Sequence, residues 1–471
     1  MLTVLIMAGG HGLRLWPKSS SGVPKQFHSF GGGKTLLQAA VDRAILIVPR
    51  DRLFVGTNEA FQHLVRAQLP WIEDTNLILE PCSRDTAAAI GVAAKVISSR
   101  YPDAIMVALP ADHVVQGDTA FADALLAAAE AATKGHLVTV GLPPTRPETG
   151  YGYIEIDASG MLDGIPTKVL RFVEKPDYAV ATQYMSDGCH LWNSGMFVWG
   201  ANTILSEIRQ RVPELAVSID QLDVDNPCSL DRKLFEAFPR VSIDRAVLEK
   251  SDRVWVVPAR FGWDDLGSWS SLLRVSQVDS SGNSTSGNVI TVDAQGCLVM
   301  DDEGVTAAIG LNDIIIVRSN EGTLVCRKDR VQDVKRVAEA SAELAASLEA
   351  PQEGAPRIIP KPWGKEILWG LSGSYAGKIL EVNAGHSLSL QFHRVKHETI
   401  YVQKGSGQLL LNGQIHELRP GIAFAIPPGV VHRMTAFSRL SLLEVSTPEL
   451  DDVVRLEDHY GRTGEPVGPD R

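Results

Sequence analysis

No apolar run in the 471-residue chain approaches the length of a membrane-spanning helix, which excludes that class of protein. A basic leader is missing too. Met1-Leu-Thr-Val-Leu-Ile runs straight into Gly9-Gly10 and reads as a first core strand, not a signal peptide. Cysteine is scarce: five residues (82, 189, 228, 297 and 326), odd in number and scattered. That excludes a disulfide framework or a cysteine metal cluster and points to reduced thiols in the cytoplasm. Positive charge is not in excess, since 45 Lys and Arg against 56 Asp and Glu leave a net charge of −11. Broad nucleic-acid binding is therefore disfavoured, and only a local basic cleft for phosphates stays open. Two phosphate motifs also fail. Gly31-Gly-Gly-Lys-Thr35 lacks the glycine a P-loop needs at 28, where the chain has His28, and Leu15 replaces the third glycine of a dinucleotide fingerprint.

What the chain does contain falls into blocks. Its 471 residues exceed what one compact core usually covers and predict two or three domains, with a 44% apolar content close to the globular average. Apolar runs at Val4–Ala8, Leu53–Thr57, Leu77–Glu80, Ile105–Leu109 and Leu137–Gly141 alternate with helical spacing near 35–47, 58–68, 86–100 and 119–134. This alternation predicts an α/β fold with a mostly parallel, Rossmann-like sheet covered by helices on both faces. From residue 285 the texture changes to short β runs at Asn288–Val292, Ile314–Val317 and Thr323–Cys326 between Gly, Asn and Asp turns. A compact β subdomain is expected there, a small coiled β-helix being the candidate form, closed by a helix over Asp329–Glu349. Ala350–Pro356 reads as a linker, and beyond it alternating strands with an Asn412-Gly413 hairpin signal suit a small β-barrel or jelly roll. The expected division is 1–284, 285–349, 350–356 and 357–471.

The loop Gly9-Gly-His-Gly-Leu-Arg-Leu-Trp-Pro17 directly follows the first strand. Gly9, Gly10 and Gly12 let backbone N–H groups approach phosphate oxygens, and Arg14 adds a cationic fork. Lys25, in Pro24-Lys-Gln-Phe27, follows closely enough to meet the same phosphates. Asp112 ends a strongly apolar strand in Leu109-Pro-Ala-Asp-His113, where a carboxylate faces the ligand edge and suits Mg²⁺ or, alternatively, caps a turn. Glu148-Thr-Gly-Tyr-Gly-Tyr-Ile154, Val173-Glu-Lys-Pro176 and Trp192-Asn-Ser-Gly-Met-Phe197 each combine a small residue with hydrogen-bonding side chains of the kind sugar hydroxyls and phosphates require.

These stretches resemble, in order, the signature of nucleotidyltransferases acting on sugar 1-phosphates, specifically the mannose-1-phosphate guanylyltransferases. The likeness spans nearly all of residues 1–349 and includes Glu80-Pro-Cys-Ser-Arg-Asp-Thr86 and Ser242-Ile-Asp-Arg-Ala-Val-Leu-Glu249. It implies that GTP and mannose 1-phosphate give GDP-mannose and pyrophosphate, with Arg14 and Lys25 on the triphosphate. It implies Mg²⁺ on Asp112 and on Asp265 of Gly262-Trp-Asp-Asp-Leu-Gly-Ser-Trp269, with Asp264 as the neighbouring alternative. Glu80 and Arg84 become candidate substrate-binding residues, with Gly150, Glu174 and Asn193 on the sugar and Lys175 on its phosphate.

The last segment carries the two-part spacing of cupins: Gly385, Gln391-Phe-His393, Glu398 and Gly405, then Gly421, Pro427-x-Gly429 and His432. Gln391 and His393 lie two apart on a strand and share a face, while Glu398 and His432 converge on them inside a barrel. That set suits a divalent Zn²⁺, Mn²⁺, Fe²⁺ or Ni²⁺ with an open position. Pro362-Trp-Gly364, Leu388-Ser-Leu-Gln391 and Arg455-Leu-Glu-Asp-His-Tyr-Gly461 resemble the phosphomannose isomerase domain fused to guanylyltransferases. The resemblance implies interconversion of fructose 6-phosphate and mannose 6-phosphate; the alternative is a barrel that only binds sugar or mediates assembly. Arg394, Lys396 and Arg433 read equally as phosphate ligands and as surface charges. No nucleic acid or membrane partner is expected, and a homo-oligomer stays open.

Overall fold

Strand Leu2–Met7 alternates its side chains between two cores: Leu5 packs with Ala87, Ile90 and Ile97, while Val4 and Ile6 pack with Leu37, Ala40 and Leu125. A strand buried on both faces in this way needs helices on each side. The computed structural model describes residues 1–10, 12–20, 22–30, 33–157, 161–348 and 357–458. The expected linker 350–356 lies outside the described residues. The chain divides into two compact units, Met1–Ala340 and Ser341–Arg471.

In the first unit the main sheet runs Leu77–Glu80, Leu53–Asn58, Leu2–Met7, Ile105–Pro110, His190–Gly200, Leu137–Leu142, Val254–Pro258, Thr167–Lys168. The first four strands are parallel. His190–Gly200 inserts antiparallel between Ile105–Pro110 and Leu137–Leu142. This reversal was not visible in the β-α alternation, because the strand arrives from an excursion through residues 143–189. Helices Leu36–Ala44 and Asp118–Ala132 cover one face, and Thr86–Arg100 covers the other. Leu36–Ala44 starts on a capping box in which Thr35 and Gln38 satisfy each other's backbone N–H groups. The helix expected near 58–68 is shorter, a 3-10 turn Glu59–Phe61 leading into Gln62–Gln68.

Strands Ser284–Val292, Leu298–Ile309 and Ile314–Ser319 are parallel although only short turns join them, and Gly322–Arg327 closes antiparallel. Parallel neighbours normally need a long crossover; here the chain coils on itself as a β-helix. Gly287 allows the coil to close: its φ is +83° and an added Cβ would meet Asp301 O at 1.9 Å. Helix Val334–Leu348 follows a 3-10 turn Lys328–Asp333.

The second unit is a jelly-roll barrel of two antiparallel sheets. One holds Arg357–Lys361, Gly364–Leu371, Ala376–Val382, Leu440–Ser446, Glu398–Lys404 and Ala423–Ile426; the other holds Gln414–Leu418, Gly407–Leu411, His432–Ala436, Leu390–Phe392 and Val454–Glu457. Asn412 and Gly413, at φ +48° and +82°, form the two-residue hairpin that positive φ at both central positions defines. Val382, Ile400, Leu409 and Leu442 fill one half of the interior. No described helix is long and apolar enough to cross a membrane.

Candidate functional site

The carboxyl ends of the four parallel strands open onto a cavity of about 490 Å³. Of the residues singled out in the sequence, it gathers Gly9, Gly10, Glu80, Asp112, Gly150, Glu174, Asn193 and Asp265. The glycine loop is held from below. Buried Gln26 donates from Nε2 to Ala8 O (2.8 Å) and Gly10 O (2.9 Å), which fixes the main chain that faces the cavity. Gly12 packs on the methylenes of Lys25, where a Cβ would come 2.8 Å from Cγ.

Lys25 links the segments that carry the two candidate metal carboxylates. Its Nζ donates to the main-chain oxygen of Asp265 (2.7 Å) and pairs with Asp112 Oδ2 (3.1 Å). Burial acts to raise the Asp112 carboxyl, yet Lys25 and His113 together hold it below the usual range. His113 accepts at Nδ1 from the Trp263 indole (3.2 Å), and burial keeps its ring neutral to lower pH. The adjacent aspartates part company. Asp265 faces the cavity, its Oδ1 accepting from Tyr151 OH and from Gly267 N, both at 2.9 Å. Asp264 is 1% exposed and points the other way, where Arg274 (2.9 Å) and Arg146 (3.4 Å) hold Oδ2 while Leu266 N donates to Oδ1. Burial and the two carboxylates push the Tyr151 phenol well above its usual value, so it stays a donor.

Two further carboxyls, Glu80 and Asp244, line the cavity. Burial pushes Glu80 up to about 7. Asp244, beside Asn193 and Glu174, is raised to about 7 by burial and then by the charge of Glu174. Sequence reasoning quoted the segments holding Tyr151, Asp244 and Trp263 but gave those residues no role, because burial and hydrogen bonding across the sheet leave no mark in a motif.

Five expected site residues, Gly12, Arg14, Lys25, Arg84 and Lys175, are not part of the cavity wall, although Lys25 touches Asp112 and the main chain of Asp265. Arg14 is exposed on the turn Leu13–Leu15 and is not part of the cavity wall. Arg84 turns away from the cavity, its Nε donating to Phe235 O (3.2 Å) and its Nη2 to Glu236 O, so it stabilises the end of helix Arg232–Glu236. Lys175 stands at φ +53° just outside the lining, paired with Glu174 at 2.7 Å.

In the barrel, His393, Glu398 and His432 offer ligand atoms all within 4.8 Å of one another. Nδ1 of each histidine faces a main-chain oxygen, Asp452 O for His393 and Val430 O for His432 (3.0 Å). A carbonyl only accepts, so each Nδ1 carries the proton and each Nε2 turns a lone pair toward Glu398, at 3.4 and 3.1 Å. Nε2 of His393 and Oε1 of Glu398 are buried without a hydrogen-bond partner. Lone pairs converging on a carboxylate suit a divalent cation. Burial acts to raise Glu398, yet it is held well below its usual range, with the Lys396 ammonium beside its Oε2. Gln391 accepts at Oε1 from Ser389 (2.7 Å) and turns its amide nitrogen toward His432 (3.4 Å), so carbonyl ligation requires the amide to turn over. Lys396 is no surface charge: it is buried between Glu398 (2.7 Å) and Glu444 (2.6 Å), which raise it against the pull of burial. Arg433 instead pairs with Glu457 at 2.7 Å. The adjoining cavity of about 410 Å³ also presents Arg357, Lys361 and Arg455.

Comparison with known proteins divides the chain in the same sequence order. Residues 3–282 match the nucleotidyl transferase family, 287–340 the MannoseP isomerase/GMP-like beta-helix domain, and 378–446 the cupin domain. The chain is similar to the alginate biosynthesis protein AlgA of Pseudomonas aeruginosa, 37% identical over 98% of both chains. It is also similar to a mannose-1-phosphate guanylyltransferase of Klebsiella pneumoniae, 35% identical over 98% of this chain and 100% of that one. A crystal structure from Thermus thermophilus, titled a mannose-1-phosphate geranyltransferase, matches 74% of this chain and 99% of its own at 35% identity and a TM-score of 0.65.

Proposed function

The chain belongs to the family of mannose-1-phosphate guanylyltransferases in which a nucleotidyltransferase and a β-helix domain precede a cupin, and from this we propose that it joins mannose 1-phosphate to GTP, releasing pyrophosphate and GDP-mannose. The observation that carries the reading is the single cavity at the strand ends, with Asp112 and Asp265 near Lys25 and the Glu174, Asn193 and Asp244 group beyond them.

The attacking phosphate oxygen is anionic near neutral pH, so no dedicated base is required. It bonds to the α-phosphorus as the bond to the bridging oxygen of pyrophosphate breaks. The enzyme's task is to align two polyanions and offset their charge. Both domain families use divalent metals. Asp112 and Asp265 offer hard carboxylate oxygens suited to Mg²⁺, which would neutralise triphosphate charge. Lys25 exchanges Asp112 for a phosphate oxygen when the nucleotide arrives, and Lys175 turns from Glu174 to the sugar phosphate in the same way. Tyr151 and Gly267 N aim Asp265 into the cavity. Ionised Glu80 accepts from N1–H and N2–H₂ of guanine, a donor pair that adenine lacks.

For the barrel we infer interconversion of fructose 6-phosphate and mannose 6-phosphate. The support is the buried His393, Glu398 and His432 cluster beside a cavity carrying Arg357, Lys361 and Arg455, cations fit for a sugar phosphate. A divalent transition metal held there would polarise the substrate carbonyl. The five free cysteines suit a cytoplasmic setting.

The test is a matrix of four nucleoside triphosphates against several hexose 1-phosphates, reading pyrophosphate release. GTP with mannose 1-phosphate should be the best pair. Preference for another nucleotide or hexose, or no release with any pair, overturns the assignment.

A further inference from the structure

Asn193 has only one way to orient its amide. Its Oδ1 accepts from Thr139 Oγ1 (2.8 Å) and Gly195 N (3.3 Å), so Nδ2 must donate, and one of its protons goes to Asp244 Oδ1 at 3.0 Å. Nδ2 carries a second proton, and Asp244 a second carboxylate oxygen. Both residues line the cavity, as does Glu174. Asp244 opens a five-residue π-helix, Asp244–Leu248, whose Ala246, Val247 and Leu248 are buried. Such turns are rare and concentrate at functional sites. The same segment is tied to the cavity helix Thr86–Arg100, Ile243 N donating to Thr86 Oγ1 at 2.9 Å.

Asp244 is costly for the fold. A partly buried carboxyl is set close to a second carboxylate, Glu174, with the Lys175 cation offsetting only part of the cost, and it is raised to about 7 in consequence. If its work were only to hold Asn193, an amide would serve without that cost. A carboxylate oxygen beside an amide N–H is the acceptor–donor pair that matches two neighbouring sugar hydroxyls.

Resting on the guanylyltransferase reading, we propose that Asp244 is a sugar-reading residue, which with Asn193 grips two adjacent hydroxyls of the hexose 1-phosphate and sets the choice of hexose. Asp244→Asn is the discriminating variant, because its side-chain oxygen still accepts from Asn193 while the cavity-facing acceptor becomes a donor.

The full-length enzyme is assayed with GTP and mannose 1-phosphate, and then with its 2-, 3-, 4- and 6-deoxy analogues. The expected result is a rise in KM for mannose 1-phosphate of roughly ten- to a hundredfold. KM for GTP should stay unchanged, and the Tm should hold or rise, because the variant removes the costly carboxyl. Wild type should lose a similar factor on one particular deoxy analogue, and Asp244→Asn should lose nothing further on it. An unchanged KM for mannose 1-phosphate overturns the proposal. So does an equal penalty on every analogue, or a higher KM for GTP together with a lower Tm, which marks a structural role. Failure of the guanylyltransferase reading is distinct, since wild type itself would then release no pyrophosphate from this pair.

Discussion

Asp264 and Asp265 are adjacent and chemically identical, yet their surroundings predict opposite consequences for removing the charge. In Asp264→Asn, Arg274 and Arg146 lose the anion they converge on. Breaking a fully buried pair costs about 3–5 kcal/mol. The two arginines keep 37% and 25% of their side-chain surface in water and can be resolvated, so about 2 kcal/mol is expected here. For a unit of this size that is a Tm lower by roughly 2–6 °C. Turnover should fall only as far as the strand Gly262–Asp264 shifts its neighbour. In Asp265→Asn the amide oxygen still accepts from Tyr151 and Gly267 N, so Tm should change little. Turnover should fall about 10³-fold, the factor that corresponds to several kcal/mol of lost charge stabilisation. The assay pairs initial rates of pyrophosphate release across a Mg²⁺ titration with thermal unfolding followed by fluorescence. An inactive but fully stable Asp264→Asn beside an active Asp265→Asn would refute the reasoning.

Glu80 gives a pH signature. Guanine binding needs its ionised form, so KM for GTP should climb roughly tenfold per unit below about 7, and Glu80→Gln should flatten that profile. Its raised pKa favours the neutral form in the fold, a stabilisation present below the unfolded value and lost as pH rises through about 7; urea titrations should therefore show Glu80→Gln gaining up to about 3 kcal/mol on wild type between pH 5 and 8. His393→Ala should abolish bound transition metal and hexose 6-phosphate interconversion while pyrophosphate release persists; retained metal by elemental analysis would contradict the ligand assignment. Arg84→Ala should leave KM for GTP within about twofold and cost roughly 1–2 kcal/mol of stability through the lost carbonyl contacts at Phe235 and Glu236, measured by thermal unfolding.

Local signals carried well where the physics is local. The Leu2–Met7 run, the Thr35 cap and the Asn412-Gly413 turn each state their own structure, because period, capping and φ preference act within a few residues. Lys396 could have been placed from the same kind of signal. Positions 396, 398, 400 and 402 alternate inward with 397, 399 and 401, so a lysine two residues before Glu398 shares its face. Charge alone left it equally a phosphate ligand or a surface residue. Arg84 misled in the opposite sense, since a cation beside a ligand loop says nothing about which carbonyls it will meet some 150 residues later in the chain.

The sequence by itself settled the order of domains, the glycine-bearing strand end and the residue types available for phosphate, sugar and metal, all consequences of patterns read along the chain. Tertiary structure alone decided which of two neighbouring aspartates faces the cavity, that Lys25 lies against Asp112, and that Asp244 joins Asn193 and Glu174. Those outcomes depend on strand order, above all on the antiparallel insertion of His190–Gly200 between strands Ile105–Pro110 and Leu137–Leu142. Pairing energies between segments far apart in sequence fix that order, and no short window of residues contains them.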